Sequence, residues 1–510
     1  MGRPDGKAPV ASEGQSPYEP TSSADSVGTL VPSNMRSAIA DSLSALVDRV
    51  GPLDEYVARE LGYEPSSIGK YFSGEQVDAL ALALDQMQRG AGFIIGDQTG
   101  VGKGRVVAGV IRYALKNGHT PIFVTEKPNL YADMYRDLTD IGMQDIRPLM
   151  TNAGEKVPLD DDGKVVLKTP AGKAHSQALE EMASTGDLGA HNIVFTTYSQ
   201  MQTLKGAETS RMAFLRAIAP NAIVIFDESH NAGGNDSARK NQRQMEVDAG
   251  SKKTGRAAFA RALAGLASGV FYSSATYAKR PSVMDLYFKT DMRMAVGGNV
   301  EALPDAIQAG GVPLQQVVAS MLARAGQYIR RERSFEGVEY NTAETTVDRP
   351  AAERISAIML SVKEFDDAKK EAVKALAQAA KREAKQISGD GVTGAAGAES
   401  TNFTSIMHNA IDQMLLGLKA ERAAELAIEA LKRGEKPVIT VANTMGSFIE
   451  EYADVLADPA GNAERAMEML EPAQELLDAA TALDPAELSP DDVTALNDCA
   501  QKLTEAQSPS

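Results

Sequence analysis

The apolar run Phe93–Ile95 leads into Gly96-Asp-Gln-Thr-Gly-Val-Gly-Lys-Gly-Arg105, and Val106, Val107, Val110 and Ile111 then fall at helical spacing. A strand, a glycine turn and a helix in this order form a phosphate cradle. Gly100 and Gly102 let the backbone wrap with its N–H groups pointing inward, and Lys103 sits where it can reach the outer phosphates. A surface lysine after an ordinary glycine turn is the bland alternative, and the flanking strand and helix weigh against it. The expected nucleotide contacts are Asp97, Gln98, Thr99, Gly100, Val101, Gly102, Lys103, Gly104 and Arg105, of which Arg105 serves either phosphate or the start of the helix.

A second motif gives the first its meaning. Ile223-Val-Ile-Phe226 is an uninterrupted apolar strand that ends in Asp227-Glu-Ser-His230. A buried strand carrying two carboxylates to its carboxyl end suits a magnesium ligand, here Asp227, and a water-activating base, here Glu228. An acidic pair in solvent is the competing reading. His230 is expected either to reach a neighbouring strand or to act structurally.

One position departs from the usual loop. The residue after the lysine is normally Ser or Thr, whose hydroxyl binds Mg²⁺, and here it is Gly104. Magnesium commonly keeps several waters, so a water is expected to fill the place, with weaker metal binding as the consequence.

Other residues carry less specific signals. Ser274, Ala275 and Thr276 close the apolar run Val270–Tyr272 and match the element by which helicases couple hydrolysis to lobe movement; small hydroxyl residues also end many strands. Thr125–Asn129 and Thr196–Tyr198 close two more runs, where they either touch a nucleic-acid backbone or simply terminate strands. Gln76 fits an adenine-reading glutamine, yet Ser73-Gly-Glu-Gln76 equally fits a capping box. Basic residues gather at Arg239, Lys240, Arg243, Lys252, Lys253, Arg256 and Arg261, a candidate phosphate track or a solvated loop. Arg330, Arg331 and Arg333 read as a solvated face.

These motifs need a scaffold. With 510 residues, two or three domains are expected. A single cysteine, Cys499, excludes disulfide scaffolds and cysteine-ligated metals, and the five histidines show no ligand spacing. The net charge of −17 argues against a wholly basic binding surface but leaves room for a local track. No apolar run is long enough to span a bilayer and the N-terminus lacks a signal pattern, so a cytoplasmic enzyme is the default.

Apolar runs at Phe93–Ile95, Ile122–Val124, Ile193–Phe195, Ile223–Phe226 and Val270–Tyr272 alternate with helix-length segments. That alternation predicts an α/β fold with a mainly parallel sheet. Residues 1–27 read as a disordered leader, and 28–345 as N-terminal helices plus the ATP-binding domain. Within it Val77, Leu80, Ala81, Leu84 and Met87 mark an amphipathic helix. A helical region is expected over 346–435, interrupted by a glycine-rich loop at 387–402. One more buried strand is expected at Pro437–Val441, within 436–457, followed by an acidic helical tail over 458–510.

The motifs resemble those of the strawberry-notch type of superfamily 2 helicase, which has bacterial and phage relatives. The resemblance rests on Gly96–Arg105, including its Gly104-Arg105 ending, on Asp227–Ala232 and on Tyr272–Thr276. It extends to Glu75–Ala81, Gly326–Phe335, Lys419–Ala424 and Gly434–Met445, and so covers roughly residues 28–455. It implies a RecA-like P-loop NTPase using ATP and Mg²⁺ to move on DNA, with ATP between two lobes. The 75 residues from 436 to 510 are about half a typical domain and contain nothing like the family's glutamine-glycine-arginine motif. The second lobe is therefore expected to be incomplete, and the chain alone a weak motor unless a second chain completes it. A nucleotide-regulated DNA- or protein-binding module is the alternative. A phosphoryl-transfer kinase is disfavoured by the Asp227-Glu228 pair and the later Ser274-Ala-Thr276.

Overall fold

The structure is a computed structural model. It describes residues 11, 14–335 and 338–343, apart from 161–162, 203–207, 233–254, 276–280 and 300–301. Beyond these it describes 403–440 and isolated positions between 349 and 367 and at 494, 497 and 501. The chain divides into two compact units, Met1–Val338 and Glu339–Ser510, a boundary slightly before the expected residue 345.

The first unit is built on seven parallel strands: β1 Gly92–Ile95, β2 Thr120–Thr125, β3 Pro148–Met150, β4 Ile193–Thr197, β5 Ala222–Asp227, β6 Gly269–Ser273 and β7 Tyr328–Ile329. Their order across the sheet is β7-β1-β6-β5-β2-β4-β3. Every pairing is parallel. The five runs read from the sequence are all strands of this sheet. β3 and β7 escaped that reading because they span only three and two residues.

The strands are apolar on both faces because helices cover both sides, as parallel sheets require. Crossover helices Lys103–Lys116, Leu130–Asp140, Gly172–Thr185, Ser210–Ile218, Arg256–Leu266 and Leu303–Arg324 connect successive strands. Phe93, Phe123, Phe195, Phe226 and Phe271 are fully buried between the layers. This is the α/β fold expected from the alternation, in the RecA-like form that the resemblance implies.

The helix Gly74–Gln88 starts with a full capping box. Gln76 N–H donates to Ser73 Oγ, and Ser73 N–H donates to Gln76 Oε1. Its flanks are buried almost all round, including Glu75 and Asp78.

Those two buried carboxylates correct the expected leader from residue 14 onward; residues 1–10, 12 and 13 lie outside the described residues. Residues 14–27 are ordered against this helix. Gln15–Pro17 pairs antiparallel with Leu30–Pro32. Tyr18 Oη and the N–H groups of Thr21 and Ser22 donate to Asp78. Ser26 Oγ and Val27 N–H donate to Glu75. A polar segment is held here by buried acceptors, which composition does not reveal.

In the second unit Phe403–Lys432 is a helix, and the described residues between 349 and 367 are helical. The strand expected at Pro437–Val441 is not formed over Pro437–Thr440, where Val438 is 80% and Ile439 59% exposed. A strand needs a ladder partner, and none pairs with this segment among the described residues. The loop 387–402 and most of 441–510 lie outside the described residues. No described helix is long and apolar enough to cross a membrane.

Candidate nucleotide site

Three neighbouring strands end on one row. Ser273 of β6 is in register with Ile95 of β1 on one side and Asp227 of β5 on the other. The glycine loop, the Ser274 turn and Glu228 therefore emerge side by side, and Ser274 N–H donates to Ile95 O at 3.0 Å.

Gly100 and Gly102 take φ of +90° and +99°, the left-handed region that glycine enters at little cost. Gly102 caps the helix that Lys103 begins, so the loop delivers Lys103 and the first helical N–H groups together. Lys103 Nζ donates to Asp97 O at 2.9 Å. Of the two roles read for Gln76, the capping box is formed: its oxygen accepts from Ser73 N–H, while Nε2 donates to Gly102 O at 3.3 Å and ties the helix start to the glycine loop. Thr99 is exposed and Val101 buried. Arg105 is tied to structure, with Nη2 2.5 Å from Asp140 Oδ2 and Nη1 donating to Tyr71 O.

Asp227 accepts from Ser273 Oγ at 3.1 Å and from Thr125 Oγ1 at 3.3 Å. Burial, then the neighbouring Glu228 charge, push its pKa up to about 6. Burial also raises that of Glu228, while Lys103 counteracts the shift in both groups. The lysine and the carboxylates thus share one electrostatic site. Glu228 has φ of +45° and is the only non-glycine with positive φ among the described residues. Such strain persists only where the surroundings enforce it, and it clusters at functional positions.

His230 does reach a neighbouring strand. Its Nδ1 lies 2.9 Å from Ser274 Oγ and 3.3 Å from Glu228 Oε2. Ala275 continues the turn after Ser274, and Thr276 lies outside the described residues. Thr196 and Thr197 are fully buried, and Tyr198 Oη donates to Asp227 O, so this strand end is turned inward. Lys252 and Lys253 lie outside the described residues. Arg256 is half-buried at the start of its helix and acts electrostatically on Tyr198.

Three residues at this site were missed or misread. Arg331, taken as part of a solvated face, is fully buried and paired with Asp97. Arg333 donates to Gly100 O and Val27 O, bracing the glycine loop against the N-terminal segment. The third is Asp137. A Cβ added at Gly104 would stand 2.1 Å from Asp137 Oδ2, so a serine or threonine at this position requires the Asp137 carboxylate to move aside. The only hint in the sequence was the glycine itself.

A glycine cradle, a lysine and a strand-end carboxylate pair on a parallel sheet define the class of P-loop nucleotide hydrolases. Residues 55–355 match the family described as P-loop containing NTP hydrolase pore-1, and the chain belongs to that family. It is also similar to curated strawberry notch proteins. Protein strawberry notch of Drosophila melanogaster is 26% identical over 60% of this chain and 18% of that protein. Protein strawberry notch homolog 1 of Homo sapiens is 26% identical over 78% of this chain and 26% of that protein. Protein FORGETTER 1 of Arabidopsis thaliana is 26% identical over 51% and 18%. The chain thus spans less than a third of the length of these relatives. Among solved structures, the Sulfolobus solfataricus SWI2/SNF2 ATPase core in complex with dsDNA aligns over 71% of this chain and 64% of that one, at 13% identity and a TM-score of 0.30. A likeness that loose carries no functional weight.

Proposed function

We propose that the chain is a Mg²⁺-dependent ATPase of the superfamily 2 helicase type that works on DNA. The observation that carries the reading is the row of strand ends joining the glycine loop, Ser274 and the Asp227-Glu228 pair. Lys103 and the N–H groups around Gly100 and Gly102 bind the outer phosphates of ATP. Asp227 is suited to hold Mg²⁺, being a buried carboxylate fixed by two hydroxyl donors. Mg²⁺, when bound, offsets negative charge on the phosphate oxygens.

Glu228 orients a water and takes its proton as the water oxygen attacks the terminal phosphorus and ADP leaves. Its raised pKa makes it a stronger base than a solvated glutamate. His230 then relates the state of Glu228 to Ser274, and Ser274 to the strand that carries the glycine loop. Gln76 is the candidate adenine contact. For DNA, the support is the resemblance to helicases and the basic stretch containing Lys252, Lys253 and Arg256. Slow turnover by the 510-residue chain alone remains an expectation of the same proposal.

ATP hydrolysis measured with no nucleic acid, single-stranded DNA and duplex DNA tests the reading. Mg²⁺-dependent hydrolysis stimulated by either DNA is the expected result. Nucleotide binding without turnover in all three conditions would replace it with a nucleotide-regulated binding module.

A further inference from the structure

The proposed hydrolysis depends on Glu228, whose backbone sits at φ of +45°, a region that residues other than glycine enter only under constraint. Three contacts supply that constraint. Tyr198 Oη donates to Asp227 O at 2.7 Å. That carbonyl shares one peptide plane with the Glu228 N–H, so holding it holds φ at Glu228. Asn231 N–H donates to Glu228 O at 2.8 Å and fixes the next peptide. One residue further, Ser229 Oγ lies 2.8 Å from Tyr287 Oη.

The two tyrosines are themselves held. Both are fully buried, as is Ser229. Tyr198 begins the short turn Tyr198–Met201 after β4 and stacks on Phe226, with ring centres 6.4 Å apart and planes 12° from parallel. Phe226 stacks in turn on Tyr272 of β6, whose ring meets Tyr287 edge-on at 4.9 Å. Tyr287 closes the turn Pro281–Tyr287, and its carbonyl accepts from Thr290 Oγ1. A row of four rings thus presents its two end hydroxyls on either side of Glu228, one to Asp227 O and one to Ser229 Oγ. Burial, and then the Asp227 charge, push the Tyr198 pKa up, so this hydroxyl keeps its proton and stays a donor.

We propose that Tyr198 and Tyr287 are positioning residues for the base: their hydroxyls clamp residues 227–229, so that the Glu228 backbone stays left-handed and its carboxylate stays directed at the attacking water. The inference rests on the role proposed for Glu228 and adds the groups that place it. Without the clamp the backbone relaxes toward an ordinary conformation and carries the carboxylate away from its place 3.3 Å from His230 Nδ1.

The test uses the full chain. Tyr198→Phe and Tyr287→Phe keep the row of rings and remove one hydroxyl each. Each should lower kcat by about 10- to 100-fold, since a 1 Å misplacement near the reacting atoms can cost on the order of 100-fold. The affinity for a fluorescent, non-hydrolysable ATP analogue should stay at the wild-type value. Tyr131→Phe is the control: its hydroxyl is equally buried and bonds Asn152 Oδ1 on a different part of the sheet edge, so kcat should not change.

A second measurement needs no turnover. Glycine enters the left-handed region at little cost, so Glu228→Gly should unfold at a higher urea concentration than Glu228→Gln. That difference should shrink in the Tyr198→Phe background, where the backbone is free to relax.

An unchanged kcat in either tyrosine variant overturns the clamp, as does an analogue affinity that falls as far as kcat, or a urea difference that Tyr198→Phe leaves intact. Absence of nucleotide binding by the wild type overturns the nucleotide site instead, and the urea comparison then still decides the clamp.

Discussion

Asp97 and Arg331 lie 234 positions apart and meet in a fully buried, two-pronged ion pair, with Nη2 2.6 Å from Oδ2 and Nε 3.2 Å from Oδ1. The Arg331 backbone N–H donates to the same carboxylate at 2.8 Å, and the guanidinium also donates to Glu75 O. Its Cζ stands 5.1 Å from the centre of the Tyr18 ring. Asp97 O in turn accepts from Lys103 Nζ. The last strand of the sheet, the N-terminal segment and the glycine loop are thereby fixed by one arginine.

Removing the arginine leaves Asp97 buried and unpaired, the situation in which a broken buried pair costs about 3–5 kcal/mol. Arg331→Met is therefore expected to destabilise the first unit strongly in urea unfolding. Arg331→Lys should recover little, because a single ammonium cannot reproduce the two-pronged geometry. A wild-type midpoint in both variants would show that the pair contributes nothing net.

How legible this was in the sequence depends on the distance over which the cause acts. Phe93–Ile95 and Ile223–Phe226 advertise themselves, because each strand is a contiguous apolar run next to its own functional residues. Gly104 was visible as a departure, but the side chain that lies against it, Asp137, sits 33 positions onward on another helix and shows no motif. Arg331 stands between two other arginines, where local composition points to solvent; only its long-range partner Asp97 explains the burial. Residues 14–27 look disordered for the same reason, since their acceptors, Asp54, Glu75 and Asp78, belong to other elements. Pro437–Thr440 failed in the opposite sense. Its residues favour a strand, yet a ladder needs a partner that local sequence cannot supply.

Lys103 and Glu228 should separate binding from chemistry. The lysine charge attracts phosphate already in the ground state, whereas the base acts only on the attacking water. Lys103→Ala is expected to abolish nucleotide binding; Glu228→Gln should bind like the wild type and cease to hydrolyse. Equal nucleotide affinity in the wild type and Lys103→Ala would remove the lysine from the site.

Asp227 links activity to stability with opposite signs. Its pKa rises from 3.8 to about 6 on folding. Between those values the folded protein binds more protons than the unfolded chain, so stability increases as pH falls from 7 toward 4. Asp78, also raised to about 6 by burial, acts in the same direction. At pH 7 the ionised Asp227 is thus a destabilising group, which the proposed metal role would account for. Asp227→Asn should stabilise the protein at pH 7, by on the order of 1 kcal/mol, and lose Mg²⁺-dependent hydrolysis. The stability gain should vanish near pH 4. In the wild type, hydrolysis should fall as pH drops through about 6. A variant less stable than the wild type at pH 7 would count against this account.

His230 offers a test of coupling distinct from catalysis. One of its nitrogens is within reach of both Glu228 and Ser274, and Ser274 N–H holds the end of the strand that leads into the glycine loop. A change at Glu228 during hydrolysis therefore has a short physical route to the sheet edge, through an imidazole and a hydroxyl. Ser274→Ala removes the hydroxyl but keeps the backbone bond to Ile95 and the small volume the turn needs. The expected outcome is nucleotide affinity and DNA-free hydrolysis close to the wild type, with most of the stimulation by DNA lost. His230→Ala should lose stimulation too, and some DNA-free rate as well, since it also frees the Glu228 carboxylate from a neighbour 3.3 Å away. The double variant should then resemble His230→Ala, because both residues act along one route and their effects are not additive. Additive losses, or full stimulation by DNA in Ser274→Ala, would show that the two residues do not form a coupling path.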